Sequence, residues 1–353
     1  MPGKSRQRVI DIIQSKISSG MYAPGSRLPT ELELAATFQV ARGTVRSALK
    51  ELAENGVIEL RKGVGCFVSP GQYEPRMIAL LTSKNDTGYG TEQVISGVVA
   101  RAAESGIGVA IFYFDDDPAQ FADLLQRIRS LHIKRVLFRP IVVPDFEKRN
   151  GCFVKQLNAS KLHYVTLGAP LVFDGELAHR YVAADNYSTM RKLVGALTDK
   201  GFRRFGLLRS FPGVYSSDLR YQAFVDELTG RGIPIGDNDI KITLDVPIHE
   251  QGRVRVHEWL KEGLPEIIVC NHDVLAYNVL DELQQHNIRV PEDVAVSGFD
   301  DLPGSAAFGL TTVRQNFSEF GRRTTELLLD EAAQNVWHED ICGELIFRRS
   351  TER

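Results

Sequence analysis

The 353-residue chain has only four cysteines and two tryptophans, and it lacks long hydrophobic runs. The cysteines are far apart and form no C-x-x-C pair, so neither a zinc site nor a disulfide framework is expected. No window approaches the roughly 18 apolar residues of a membrane span. The first residues carry charge without an apolar stretch, so no export signal is expected. These absences predict a cytoplasmic protein without a membrane partner.

Motifs of common catalytic sites are also missing. The sequence contains no P-loop, no H-E-x-x-H helix and no G-x-S-x-G turn. Gly106 and Gly108 begin like a dinucleotide-binding turn, but Ile111 stands where its third glycine would be. The acidic run 115–117 has no partners at ligand spacing and is expected to be a solvated helix start. We therefore predict no enzyme activity, no cofactor and no metal site.

Charge is divided unevenly along the chain. The net charge is −3, yet residues 1–70 contain ten lysines and arginines against six acidic residues. That segment is therefore +4, and the remainder is −7. A basic segment on an acidic chain indicates a polyanionic partner for the basic segment alone.

Three amphipathic helices are predicted within this basic segment. The first runs from about Ser5 to Ser18. The second begins at Thr30, which forms a T-x-x-E capping box with Glu33. The third follows Val40 and ends at Asn55-Gly56. Two short β runs then flank a glycine-rich turn, so the segment is predicted to be a winged helix-turn-helix.

Basic side chains lie where this fold would meet a DNA duplex. Arg42, Arg46 and Lys50 recur every four residues beside the buried stripe of the third helix. An arginine at a helix start can bind guanine in the major groove, and Thr44 can contact a phosphate or a thymine methyl. The turn 62–65 can approach the backbone or the minor groove. Duplex DNA is the predicted partner; the alternative is a dimerisation or protein-docking module with solvated arginines.

This segment resembles the GntR family of bacterial regulators over about residues 5–69, through RLPTELELA, FQVARGTVRSALKELAENGVI and GVGCFV. Ala41, Leu32 and Cys66 depart from the family pattern, which puts one or two phosphate contacts in question. The residues expected to contact DNA are Thr30, Glu31, Arg42, Thr44, Arg46, Lys62, Gly63 and Gly65.

After a linker at 70–75, short apolar runs alternate with amphipathic helices, which predicts an α/β fold with two doubly wound parallel sheets. We call residues 1–69 the head and residues 76–353 the body. The chain is expected to change sheets near Val172–Arg180. The first lobe is predicted at about 76–173 plus 316–336, and the second at about 174–315 plus 337–353.

The body resembles the effector domain of LacI/GalR repressors, which share the fold of periplasmic sugar-binding proteins. The matching pieces are VPEDVAVSGFDD, VAADN, RYQAF and LIFRRST. Regulators of the arabinose-repressor kind combine such a body with a GntR-type head. The resemblance therefore implies a DNA-binding transcription regulator, most simply a repressor. It is expected to act as a homodimer on a pseudopalindromic operator and to respond to a small carbohydrate-like effector.

Five residues are expected to contact that effector: Asp300, Arg220, His272, Asn271 and Tyr89. A carboxylate at a strand end can accept two sugar hydroxyls, and a guanidinium offers a planar pair of donors. The structural alternatives are a turn cap for Asp300, a surface pair with Asp218 or Asp226 for Arg220, and packing for His272.

Pro247 stands where the resembled family often has an aromatic stacker, which disfavours a flat purine-like ligand. Two other classes of function stay open at this point. One is a sugar sensor that acts through a protein partner without DNA. The other is an enzyme on the same doubly wound fold.

Overall fold

The computed structural model describes residues 2–18, 20–69, 77–84, 90–141, 146–173, 176–177, 180–242, 250–330 and 337–352. These residues form two compact units, one made chiefly of the chain up to Met77 and the other of the chain from Ile78 onward. The predicted linker at 70–75 lies outside the described residues.

The first unit consists of three helices and a β-hairpin: α1 Pro2–Ser18, α2 Glu31–Phe38, α3 Arg42–Glu54, β1 Ile58–Arg61 and β2 Gly65–Val68. The predicted capping box is confirmed. Thr30 Oγ1 accepts the Glu33 backbone N–H at 3.3 Å, and the Glu33 carboxylate accepts that of Thr30 at 2.7 Å. Such a cap is worth about 1 kcal/mol, so it fixes where α2 begins.

One apolar cluster joins the elements of this unit. Its members come from α1, α2, α3 and the hairpin, and they include Ile13, Leu34, Val45, Leu52 and Val68. The buried residues of α3 recur at helical spacing, so its basic residues are placed on the solvent side.

The second unit alternates strands and helices. Its strands are β3 Met77–Ser83, β4 Gly108–Phe114, β5 Arg135–Phe138, β6 His163–Gly168, β7 Val172–Phe173, β8 Glu176–Leu177, β9 Arg180–Ala184, β10 Phe205–Arg209, β11 Ile240–Ile242, β12 Ile267–Cys270, β13 Ala295–Ser297, β14 Thr312–Arg314, β15 Trp337–Ile341 and β16 Glu344–Ile346. Its helices are α4 Thr91–Glu104, α5 Pro118–Ser130, α6 Phe146–Ser160, α7 Asn186–Asp199, α8 Tyr215–Gly230, α9 Gln251–Glu262, α10 Asp273–Gln285, α11 Gly304–Phe308 and α12 Phe317–Leu329.

Two sheets organise these elements, as the βαβ rhythm predicts. The first has the order β15-β9-β6-β5-β3-β4, and the second has the order β11-β10-β12-β13. The second sheet pairs in parallel throughout, and so do the neighbours from β15 to β3 in the first. Separate apolar clusters cover the two faces of the second sheet. The second sheet is thus buried between two layers of helices, as is usual for parallel sheets.

The predicted lobe boundaries are wrong at two strands. Both β9 and β15 were assigned to the second lobe, but they pair with each other at one end of the first sheet. Strands β7 and β8 instead pair with each other in antiparallel fashion, and β9 then lies in the same sheet as β6. A hairpin and a change of sheet look alike in sequence because both interrupt the βαβ rhythm.

Helices α4 and α12 pack with their backbones in contact. A Cβ added to Gly97 would lie 1.9 Å from the Ser318 carbonyl oxygen, and one added to Gly321 would lie 2.1 Å from that of Val94. Any side chain at either glycine would therefore separate the two helices. Among the helices that the structure describes, none has the length and apolar character needed to cross a membrane.

Candidate functional site

In the head, Arg42 and Arg46 lie one turn apart at the start of α3 and share one carboxylate. Glu31 accepts a hydrogen bond from Arg42 Nε at 2.9 Å and two from Arg46, from Nε at 2.9 Å and from Nη2 at 2.8 Å. The arginine side chains are 61% and 64% exposed, against 25% for Glu31. The carboxylate therefore holds both guanidinium groups on one face of α3.

The Arg46 hydrogen bonds, with the one from Arg42, lower the pKa of Glu31 to about 2. Glu31 is thus ionised at neutral pH, and its carboxylate orients the two arginines. Thr30 is exposed, but its hydroxyl bonds the Glu33 carboxylate at 2.9 Å. Thr44 is half-buried in the first turn of α3, beside the two arginines.

The hairpin turn supplies a second exposed surface. Lys62 and Gly63 are exposed, and Gly63 has a φ of 75°. Gly65 has a φ of 135°, and a Cβ there would lie 2.8 Å from Arg27 Nε. The second glycine thus serves a contact inside the head, which the sequence interpretation of close approach to DNA did not include.

In the body, Asp300 follows β13 at the carboxyl end of the second sheet. Its φ is 118°, a conformation that is costly for a residue with a side chain. Its backbone N–H donates to the Val313 carbonyl at 2.8 Å, which holds the turn in place. Burial raises the pKa of Asp300 to about 6, although the positive charge of Arg220 opposes the shift.

Arg220, in α8, is the buried partner of this carboxylate. Nη2 donates to Asp300 Oδ1 at 3.4 Å, Nε donates to Asn186 Oδ1 at 2.8 Å, and Nη1 donates to the Asn271 carbonyl. The Cζ atom lies 3.8 Å from the Phe299 ring centroid. Every edge of the guanidinium is engaged, so its plane is fixed before any ligand arrives.

The surface alternative for Arg220 is wrong. Asp218 instead accepts from Arg209 and from the Gly213 backbone N–H, and Asp226 accepts from Tyr187. Arg209 was not singled out from the sequence, although it ends β10 at the same sheet edge.

Asn271 and His272 lie between β12 and α10. Asn271 Nδ2 donates to Ser217 Oγ at 2.9 Å, while Asn271 Oδ1 is buried without a hydrogen-bond partner among the described residues. Burial, assisted by the charge of Arg220, lowers the pKa of His272 to about 3, so the ring is neutral. His272 Nδ1 accepts the Leu275 backbone N–H at 3.4 Å and caps α10, so the hydrogen of the neutral ring sits on Nε2.

His272, and not the acidic residue after it, is the N-cap of α10. Asp273 is the first residue of α10, and its buried carboxylate binds Leu302 N, Ser305 Oγ and Thr312 Oγ1 at 2.8, 2.6 and 2.5 Å. It therefore ties the segments around Asp300 together.

A cavity of about 230 Å³ borders Asp300. Its lining includes Gln93 of α4, Phe317 of α12 and Gln315. Gln315 donates to Asp300 Oδ1 at 2.5 Å. Sequence reasoning missed both Gln315 and Asn186, although Asn186 begins α7 two residues after the end of β9.

Arg220, Asn271, His272 and Asp300 are brought together, while Tyr89 and Pro247 lie outside the described residues.

Comparisons with known proteins agree with both units. The pattern of bacterial regulatory proteins of the gntR family matches residues 5–68, and that of the periplasmic binding protein-like domain matches residues 194–351. An arabinose metabolism transcriptional repressor of Geobacillus stearothermophilus is 26% identical over 345 residues, covering 95% of this chain and 93% of that protein. The HTH-type transcriptional repressor PurR of Haemophilus influenzae is 35% identical over 165 residues, covering 44% of this chain and 48% of PurR.

A solved LacI-family regulatory protein from Chloroflexus aggregans superposes with a TM-score of 0.68 at 25% identity, covering 78% of this chain and 98% of that one. The chain is therefore a transcriptional regulator that joins a GntR-type DNA-binding head to a LacI-type, periplasmic-binding-protein-like body.

Proposed function

We propose that the protein is a cytoplasmic repressor that binds operator DNA through α3 and the hairpin turn. The observation that carries this proposal is the exposed pair Arg42 and Arg46, oriented by one carboxylate at the start of α3. A bidentate arginine reads guanine O6 and N7, and Thr44, in the same helical turn, contacts a phosphate. Lys62 and the turn glycines make a second contact, with the sugar-phosphate backbone of the DNA.

The effector is a small polyhydroxylated molecule of the sugar class, bound beside Asp300. The Asp300 carboxylate and the amide of Gln315 offer an acceptor and a donor to neighbouring hydroxyls. Within the described residues, both hydrogen bonds to the carboxylate end on Oδ1, which leaves Oδ2 for a ligand. The cavity of about 230 Å³ lies below the roughly 300–1,000 Å³ of drug-sized sites, which favours a small ligand.

Asn271 and His272 are further candidate contacts. Among the described residues the buried Asn271 Oδ1 has no hydrogen-bond partner and is an acceptor, and His272 is its neighbour in the chain. The arabinose metabolism repressor that aligns over nearly the whole chain supports a sugar over a purine. PurR aligns over less than half of it.

Two copies would bind a pseudopalindromic operator as a homodimer. Effector binding beside Asp300 would change how the two heads are held, through a coupling free energy of about 1–3 kcal/mol that acts equally on sugar and on DNA.

The test uses the full-length protein and the DNA upstream of its own gene. A thermal-shift screen of pentoses, hexoses and sugar phosphates identifies the effector, because a ligand of the folded state raises the melting temperature. Fluorescence anisotropy then measures operator affinity with and without that sugar.

We expect specific binding to operator DNA, with an affinity that the sugar changes about 5- to 150-fold. Sugar binding without DNA binding would instead establish a sensor that acts through a protein partner. Turnover of the sugar would establish an enzyme.

A further inference from the structure

Helices α9 and α10 lie unusually close together on one face of the second sheet. A Cβ added to Gly252 of α9 would lie 2.4 Å from Asn278 Cβ and 2.8 Å from the Val279 backbone nitrogen. Only a glycine permits this approach. The same close packing continues about one turn further along both helices, where three polar side chains meet.

These three side chains are His257 of α9, Glu282 of α10 and His286, the C-cap of α10. His257 Nε2 lies 2.7 Å from Glu282 Oε1, and His286 Nδ1 lies 3.3 Å from the same oxygen. One ligand atom from each residue can be chosen so that all three lie within 4.8 Å of one another. Two imidazoles and one carboxylate are a ligand set that zinc commonly takes in proteins.

Of the three side chains, the carboxylate is the one whose burial is energetically most unfavourable. The Glu282 side chain is only 4% exposed, whereas those of His257 and His286 are 42% and 39% exposed. No lysine or arginine in the described part of the chain forms an ion pair with Glu282. An isolated buried carboxylate is unfavourable, and an imidazole offsets its charge only when protonated. A divalent cation held by all three groups offsets it at neutral pH and leaves both rings partly open to solvent for entry.

We infer that His257, Glu282 and His286 bind one divalent cation of the zinc class. Zinc–nitrogen and zinc–oxygen bonds of about 2.0–2.2 Å place such an ion between the three side chains after small rotamer changes. His286 Nδ1 lies 3.0 Å from the Glu282 carbonyl oxygen. His286 therefore gives up that contact or coordinates through Nε2. Water completes a tetrahedral site.

The site joins the C-terminal end of α10 to α9, whereas His272, a candidate effector contact, caps the N-terminal end of α10. A bound ion is therefore a structural tie between neighbouring helices. It stabilises the body without entering the proposed sugar or DNA contacts.

The experiment uses the untagged full-length protein, stripped with chelator and titrated with ZnCl₂ against a chromogenic zinc indicator. Matched variants are His257→Ala, His286→Ala and, as control, His132→Ala, which removes an exposed histidine elsewhere. Co²⁺ absorption distinguishes nitrogen and oxygen ligands from cysteine thiolates. MgCl₂, which prefers oxygen ligands, serves as the metal control.

The expected result is one zinc per chain in the wild type and in His132→Ala, with affinity reduced about tenfold or more in each of the other two variants. Zinc, but not magnesium, then raises the melting temperature of the wild type and not that of His257→Ala. Circular dichroism of each metal-free variant checks its fold.

The inference is overturned if the wild type binds no zinc, if His257→Ala and His286→Ala bind it as tightly as the wild type, or if the cobalt spectrum shows thiolate ligation. Equal loss in all three variants, including His132→Ala, overturns it as well.

Discussion

The head and the body each contain an arginine–carboxylate group. The group in the head is exposed to water, whereas the group in the body is buried. Arg42 and Arg46 are 61% and 64% exposed around Glu31, whereas the Arg220 and Asp300 side chains are 8% and 10% exposed. Water and salt weaken the first group, so its arginines can exchange Glu31 for a base or a phosphate. Burial makes the second group a fixed part of the fold, because removing either partner leaves a buried charge.

The largest expected effect comes from breaking the buried group. Asp300→Ala should lower the free energy of unfolding by about 3 kcal/mol, because Arg220 keeps its charge but loses its carboxylate. Chemical denaturation measures the loss. Asp300→Asn retains the shape and should lose less stability while still losing the effector response. Wild-type stability of Asp300→Ala would show that Arg220 does not depend on this carboxylate.

In the head, the comparison predicts a change in DNA binding with little change in stability. Arg42→Ala should cost about 1–3 kcal/mol of operator binding and relax one base position. Arg289→Ala is the charge-matched control, since Arg289 is an exposed arginine paired with Asp293. Anisotropy titrations on operator variants measure both proteins. Equal affinities for the two would contradict the assignment of α3 as the recognition helix.

Because the pKa of Asp300 is raised, effector binding to the body should depend on pH. With a pKa of about 6, the carboxyl is ionised at pH 7 and mostly protonated at pH 5. A protonated carboxyl accepts hydroxyl donors poorly, so effector affinity should fall about tenfold between these values. Calorimetry with the identified sugar measures the effect. Asp300→Asn should bind weakly and show little pH dependence, and a wild-type affinity that stays flat would refute this role.

The smallest effect belongs to the exposed carboxylate. Glu31→Ala should lower the free energy of unfolding by less than about 1 kcal/mol, in contrast to Asp300→Ala. Glu59→Ala, which removes another exposed pair, is its control. Denaturation curves of the two variants should nearly coincide. A loss for Glu31→Ala as large as that for Asp300→Ala would remove the distinction between the two groups.

The head was predictable because its signals are local. The capping box of Thr30 and Glu33, the Asn55-Gly56 stop of α3 and the basic turn each depend on residues a few positions apart. Local patterns determine where elements begin and end, and the structure agrees with them. The hydrogen bonds from both arginines to Glu31 were not predicted, because they join two helices across a turn.

The body was predictable in class but not in detail. Buried apolar runs identified the parallel strands, yet β15, with the sequence WHEDI, contains no such run. Asn186 and Gln315 are far from Arg220 and Asp300 in sequence and meet them only through the sheet topology. The same applies to His257, which lies 25 residues before Glu282. The i, i+4 spacing of Glu282 and His286 was the one signal available.

The glycine contacts between α4 and α12 constrain any opening of the cavity. Backbone meets backbone at Gly97 and Gly321, so the helices cannot slide and must move as one rigid block. Gln315 precedes α12 by two residues and bonds to Asp300. Any movement of this block away from Asp300 therefore breaks the hydrogen bond between Gln315 and Asp300.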